Sequence, residues 1–304
     1  MVKYIRLFRL KSTLIYLFPF ALALSVGLEQ TGQGTARTVA YSWATIVFAY
    51  IAYFCGSFFS STLNFYADVP ADRVHDGLYK DQDISKQPFV TGEVSRLETV
   101  LIFTITGVGC VVFSVLVNWR FAVFMLSAVL LLGILYSHPW FRFKEKPVLD
   151  IVTNATGAVL ILYAGMAIVS LDNPPIQPIV FGWLFSAAMY MPSVANDVPF
   201  DKAAGYRTSG VVFGPERLLY ATVPLTAGIV AVGIWGVFFS PSLNWQYKLF
   251  LGLGTPAAVL ATTLVLLLYF PPHIQLNPHV FLVPLACLLL FYVVMGFYTL
   301  ATAA

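Results

Sequence analysis

Residues 43–72 read W-A-T-I-V-F-A-Y-I-A-Y-F-C-G-S-F-F-S-S-T-L-N-F-Y-A-D-V-P-A-D. No charge interrupts positions 43–67, and Asp68 and Asp72 then follow four positions apart. A bilayer core about 30 Å thick takes roughly 20 mostly apolar residues as a helix. The stretch therefore predicts a membrane span with an acidic end. The rest of the chain agrees: 59% of the 304 residues are hydrophobic and only 10% are charged, against about 25% charged in an average soluble domain. Seventeen basic and 14 acidic side chains are too few to cover a soluble protein of this length. A mean hydropathy of +0.81 points the same way. The composition predicts an all-α integral membrane protein.

The same ruler predicts nine spans, near 12–28, 43–66, 97–117, 119–137, 149–171, 177–196, 215–239, 247–270 and 279–300, in one transmembrane domain over 1–304. Barrel strands would be about half as long and would alternate, which these runs do not. The first run lacks a small-residue cleavage site and is expected to be a retained span rather than a signal peptide. Cys55, Cys110 and Cys287 lie in apolar runs and read as buried free thiols. No basic patch of the kind that binds nucleic acid is present.

Lysine and arginine set the orientation. Lys3, Arg6, Arg9 and Lys11 precede the first span, and the second-to-third, fourth-to-fifth and sixth-to-seventh loops carry most of the rest. Only Arg37, Arg120 and Lys248 fall on the other side. This predicts a multi-pass protein of the cell membrane with its N-terminus cytoplasmic and, after nine spans, its C-terminus outside. The acidic residues share the cytoplasmic face except for Glu29 and Asp172. The ionisable chemistry thus sits at one membrane face, and the short outer loops argue against an extracellular receptor.

Two motifs carry that chemistry. Asn64, Asp68 and Asp72 fall at steps of four at the end of the second span, and Asp197 and Asp201, beside Asn196, repeat the step at the end of the sixth. Residues four apart share a helix face. Paired hard oxygen ligands suit Mg²⁺, which binds one or two carboxylates together with substrate phosphates and water. One such pair reads equally well as solvated acidic residues at a helix end. Two copies of D-V-P-x-D at cytoplasmic span ends, where like charges need cations, favour a shared metal–diphosphate site. Pro70 and Pro199 interrupt the pairs, so each pair is expected either at a new first turn or at a helix break.

A third cytoplasmic segment, Y-S-H-P-W-F-R-F-K over 136–144, places Arg142 and Lys144 two apart. These cations suit diphosphate oxygens and a leaving group on which charge develops. Lys146 reads as orientation bias alone. Tyr136, at the membrane edge, suits either a hydrogen bond to substrate, cation stabilisation by its ring, or an interfacial belt. His75 and His138 are candidate proton acceptors, although single loop histidines are more often passive.

With these residues in place, the chain resembles the UbiA-type intramembrane prenyltransferases, which share nine transmembrane helices and two aspartate-rich motifs. The family's NxxxDxxxD matches Asn64, Asp68 and Asp72, and its DxxxD matches Asp197 and Asp201, followed by the usual G-Y-R-T around Gly205 and Thr208. Its Y-S-x-P-x-x-R-x-K matches Tyr136 to Lys144. The resemblance implies a central cavity open to the cytoplasmic side. It also implies Mg²⁺-dependent transfer of an isoprenyl group from an allylic isoprenyl diphosphate to a lipophilic acceptor (isoprenoid, lipid or aromatic) within the membrane lipid. Asp68, Asp72, Asp197 and Asp201 would be the metal ligands, with Tyr136, Arg142 and Lys144 catalytic. Asn64, Arg73, Lys86, Asn196, Lys202 and Arg207 are the candidates for holding substrate.

The chain departs from the family after the first motif. Gln87 stands in K-Q-P-F-V-T-G where the family has arginine, Lys86 is expected to supply the charge, and H-D-G-L-Y-K-D-Q-D lengthens the loop. The R-F-K-E-K-P-V-L-D run looks most like members with isoprenoid or other lipid acceptors. Two other readings stay open: a terpene cyclase on the same scaffold, needing no acceptor, and a membrane transporter. Transporter sites are usual near the bilayer midplane, whereas here the carboxylates gather at one face.

Overall fold

The computed structural model describes residues 2–32, 34, 39–78 and 87–269. Its regular elements are helices: α1 (Val2–Leu7), α2 (Leu10–Gly32), α3 (Trp43–Leu78), α4 (Arg96–Val117), α5 (Trp119–Val129), α6 (Leu149–Ala167), α7 (Ile176–Asn196), α8 (Val198–Ala203), α9 (Ser209–Phe213), α10 (Pro215–Phe239) and α11 (Trp245–Tyr269). Among the described residues, six helices are long and apolar enough to cross a membrane, namely α3, α4, α6, α7, α10 and α11. The protein is a multi-pass membrane protein. The first eight expected spans each coincide with a helix; the ninth, 279–300, and Cys287 lie outside the described residues. Cys55 and Cys110 are free thiols.

Two boundaries differ from expectation. Helix α3 does not break at Pro70 but runs on to Leu78, so Asp68 and Asp72 share one continuous helix. At the second motif the chain does restart: α7 ends at Asn196, Asp197 is the junction, and Pro199 lies in the first turn of α8. Proline is tolerated in a first turn because its missing N–H has no helical partner there anyway.

Capping explains how the helix ends are fixed. Ser95 and Glu98 form a capping box at the start of α4. The Glu98 carboxylate also accepts from Lys3 Nζ at 2.7 Å and the Tyr4 hydroxyl at 2.8 Å, which fastens α1 to α4. At the other membrane face Asn118 accepts from Phe121 N at 2.8 Å to cap α5 and donates to the Ala167 carbonyl at 2.9 Å. One side chain thereby joins the α4–α5 turn to the end of α6.

Packing is organised around a seam between α2 and α6. The α-carbon of Gly165 lies against the backbone of Phe20, and that of Gly27 against the Val169 side chain. Small residues allow such close helix approach in membranes. A buried cluster lies on each side. Phe18, Leu162, Phe181 and Tyr247 belong to one, and Phe20, Tyr53, Phe121 and Ile168 to the other. Helix α5 widens into a π-helical turn over Leu130–Leu135, where Gly133 packs on Ser60 of α3. Such turns re-aim the residues that follow, and the next residue, Tyr136, lines a cavity of about 610 Å³ enclosed by α2, α3, α5, α6 and α7.

Gly165→Val should destabilise the protein by more than about 3 kcal/mol, because backbone rather than a mobile side chain stands in the way. The measurement is the thermal midpoint of the purified, detergent-solubilised variant. An unchanged midpoint would mean that α2 and α6 are not in backbone contact.

Candidate active site

Helix α3 presents Asp68 and Asp72, the α7–α8 junction presents Asp197 and Asp201, and α3 packs against α8. Asp201 N donates to the Asp197 carbonyl at 2.9 Å, keeping the second pair one helical turn apart. The Asp201 carboxylate feels the charges of both Asp68 and Lys144, so the two motifs share one electrostatic field. Among the described residues no three His, Cys, Asp or Glu side chains converge to hold an ion by themselves. Each pair offers two carboxylates and leaves the remaining coordination to other oxygens. That donor set fits Mg²⁺ completed by phosphate and water, and does not fit a closed zinc site.

Each carboxylate has its own partner. Asp68 is ion-paired with Lys144 Nζ and lies 3.7 Å from Arg142 Nη2. Burial pushes the Lys144 amine below the usual lysine value, and the Asp68 charge opposes that shift. Arg142 is held in turn by Glu145 and by the Tyr206 hydroxyl at 2.8 Å, with its guanidinium 5.0 Å from the Tyr206 ring centroid. Asp72 accepts from Gln87 Nε2 at 2.7 Å. Asp201 accepts from the Thr208 hydroxyl at 2.7 Å; burial raises its carboxyl above the usual carboxylate range, with Thr208 opposing. Asp197 follows the cavity-lining Asn196 at the α7–α8 junction and is open to solvent on one side. Burial first, and then the Asp201 charge, push its carboxyl up to about 7.

Of the other expected site residues, Tyr136 hydrogen-bonds the Tyr190 hydroxyl, and both line the cavity. Asn64 lines it too and donates to Ser137 Oγ at 3.2 Å; Asn196 stands at its mouth beside Asp197. Arg73, Lys202 and Arg207 are exposed at the same end of the bundle. Among the described residues no ion pair joins them to the four aspartates. Lys86 lies outside the described residues, as does the side chain of His75. The His138 ring packs edge-on against Trp140 at 5.2 Å. Lys146 Nζ lies over the Phe143 ring, away from the aspartates.

Several contributors were not among the site residues expected from the sequence. Arg9, at the break between α1 and α2, lines the cavity and acts electrostatically on Asp72, Asp197 and Lys144. Nothing in the sequence separates it from its neighbouring cations. Gln87 is only 2% exposed and does more than stand in for a cation. Its amide also donates to the Phe65 carbonyl at 2.7 Å, and its oxygen accepts from Phe89 N and Val90 N at 3.0 Å each. Asp150, 1% exposed, accepts from Ser209 N at 2.8 Å and Ser209 Oγ at 2.6 Å. Ser209 Oγ also accepts from Val148 N at 2.7 Å. This knot ties the loop bearing Arg142 and Lys144 to the segment that bears Tyr206 and Thr208. The G-Y-R-T continuation was the only sequence signal for the last two.

Two outcomes follow for Mg²⁺ binding to the substrate-free protein. Metal ligation needs the Asp197 carboxylate ionised, so below its raised pKa binding must expel a proton. Affinity should climb from about pH 6 to pH 8, with proton release on binding at the lower end. Titration calorimetry in buffers of different ionisation enthalpy reads both; a flat profile would remove Asp197 from the metal site. Lys144→Ala should tighten Mg²⁺ by about five-fold or more, since the cation competing for Asp68 is gone, and should weaken diphosphate binding. Parent-like affinities for both would leave Lys144 with a topological role only.

Known proteins resemble this chain in sequence and in fold. The match to lycopene elongase/hydratase of Haloferax volcanii is 37% identical over 111 residues, 36% of this chain and 35% of that protein. The match to the Halobacterium salinarum enzyme of the same name is 38% identical over 94 residues, 31% of this chain and 34% of that one. The chain thus aligns with about a third of the length of these relatives. A UbiA homolog from Archaeoglobus fulgidus, solved bound to DMAPP and Mg²⁺, superposes with a TM-score of 0.81 at 31% identity, covering 98% of this chain and 99% of that one. An apo UbiA homolog from Aeropyrum pernix K1 shares the fold, with a TM-score of 0.67 at 17% identity over 93% of this chain and 96% of that one. The model of the UbiA prenyltransferase family matches residues 17–270, and the chain belongs to that family.

Proposed function

We propose that the protein transfers an isoprenyl group from a short allylic diphosphate, of the DMAPP class, to a lipophilic isoprenoid acceptor within the membrane. The observation that carries this reading is the common electrostatic field of Asp68, Asp201 and Lys144 beside a cavity of about 610 Å³, whose wall holds the motif residues Asn64 and Asn196. A charged head and an apolar tail need that gradient. Asp68, Asp72, Asp197 and Asp201 would hold Mg²⁺, which supplies Lewis-acid neutralisation of the departing diphosphate when bound. Lys144 and Arg142 add fixed positive charge where the leaving group gains negative charge. Asn64, Asn196 and Arg9 face the head group from the cavity wall. Arg73, Lys86, Lys202 and Arg207, all read from the sequence as substrate contacts, are assigned to attracting the diphosphate to this face. Tyr136 and Tyr190 present rings and hydroxyls where the allylic cation forms, and the apolar walls below keep bulk water away from it.

The acceptor reading draws on the lycopene elongase/hydratase relatives, whose name joins chain extension to addition of water. An allylic cation that adds to a polyene leaves a tertiary cation on the acceptor, and water capture of that cation accounts for both halves of such a name. The positive-inside pattern puts the site at the cytoplasmic face of the cell membrane, with the N-terminus on the same side.

Asp68→Asn and Asp197→Asn should each abolish diphosphate release from DMAPP and Mg²⁺ in vesicles, while the proteins stay inserted and folded. Retained turnover in both would overturn the metal-ligand assignment. Hydrocarbon formed from the diphosphate without an acceptor would replace the transferase reading by a cyclase.

A further inference from the structure

One knot of polar side chains in the cavity has no part in holding the diphosphate. Asn154 of α6, Ser186 of α7 and Tyr16 of α2 all line the cavity. Ser186 Oγ donates to Asn154 Oδ1 at 3.2 Å, and the Tyr16 hydroxyl lies near enough to Asn154 to feel its amide. Ser186 lies one turn before Tyr190 on α7, and Asn154 one turn after Asp150 on α6. The knot therefore sits deeper than the tyrosine pair. Beyond it the lining turns apolar, with Ala158, Leu162, Phe185 and Phe250.

Polar groups at such depth are costly unless they meet polar partners, which makes them functional by default. Ser57, Ser60 and Ser61 of α3 also line the cavity, but a helical serine satisfies itself on the carbonyl one turn back. An asparagine amide has two donor and two acceptor sites and no such outlet. Ser186 occupies one lone pair of the Asn154 oxygen, leaving the other lone pair and the amide N–H groups to Tyr16 and the cavity. That is the complement a single ordered water requires. None of the three side chains is a base at neutral pH, so the knot orients a water without itself removing a proton from a nearby cation.

We propose that Asn154, with Ser186 and Tyr16, holds the water molecule that captures the carbocation after prenyl transfer, making the product a tertiary alcohol rather than an alkene. This rests on the transferase reading above and adds the nucleophile to it. A lone pair of the water oxygen forms the new C–O bond to the tertiary cationic carbon. One O–H bond of the resulting oxonium then breaks, and its proton passes to the released diphosphate, a base that the reaction itself supplies. No oxidant or reductant enters.

The test uses the full chain in lipid vesicles with DMAPP, Mg²⁺ and lycopene as the probe acceptor, in ¹⁸O-labelled water, with products read by mass spectrometry. The parent protein is expected to give a prenylated polyene bearing an ¹⁸O hydroxyl. Asn154→Leu, of similar volume, should lower the ratio of hydroxylated to dehydrated product by about tenfold, and Ser186→Ala should lower it less. The ratio is read on whatever product forms, so a fall in total turnover does not hide it; Ser186→Ala carries the test if Asn154→Leu does not fold. An unchanged ratio in the variants, or a prenylated parent product without ¹⁸O, overturns the water site and leaves the transferase reading standing. No prenylated product from the parent with diphosphate still released from DMAPP overturns the polyene acceptor and the water site together.

Discussion

A carboxylate at the edge of hydrocarbon must be neutralised, and this protein places four of them there. Each is met differently. Asp68 takes a buried lysine, Asp72 the amide of Gln87, Asp201 the hydroxyl of Thr208, and Asp197 keeps its proton to about neutral pH. Lys144 and the Asp197 proton thus offset two of the four charges before any ligand arrives, while Asp72 and Asp201 are hydrogen-bonded but not neutralised. Divalent cations would supply the positive charge that Asp72 and Asp201 lack, leaving coordination positions for diphosphate oxygens.

Two loops carry that balance and are tied together for it. The loop after α5 is strained: Arg142 has φ 42° and Val148 φ 71°. Positive φ is costly for any side chain and most of all for a β-branched one. Val148 is kept there because its N–H donates to Ser209 Oγ, which Asp150 fixes in turn. Tyr206 then reaches Arg142 from the same segment. The cost of the strained turn is offset by a loop that cannot drift, so the two cations stay beside Asp68.

The cavity beneath is an exception to close packing. Interiors normally leave few voids larger than a water, yet here α2 and α6 touch backbone to backbone and each supports its own buried cluster. Stability resides in the seam and the two flanking cores, which leaves the space between α2, α3, α5, α6 and α7 open. Its lining passes from Arg9, Asn64 and Asn196 through hydroxyls and Asn154 to plain hydrocarbon, a gradient that suits an isoprenyl diphosphate seated head outward.

The sequence by itself determined the membrane class, the positions of eight helices, and the aspartate, arginine and lysine motifs at one end of the bundle. Hydropathy runs and four-residue steps are local properties, and locality is what a linear reading resolves. Tertiary structure alone decided that α3 runs straight through Pro70 while α7 stops before Pro199. It also decided that a π-helical turn aims Tyr136 at the cavity, that buried Gln87 holds Asp72, and that Arg9 lines the cavity. The partners concerned are far apart in the chain, Lys144 from Asp68 by 76 positions and Ser209 from Asp150 by 59. Hydrogen bonds and ion pairs act through space over a few ångströms; no periodicity along the chain records which distant residues will meet.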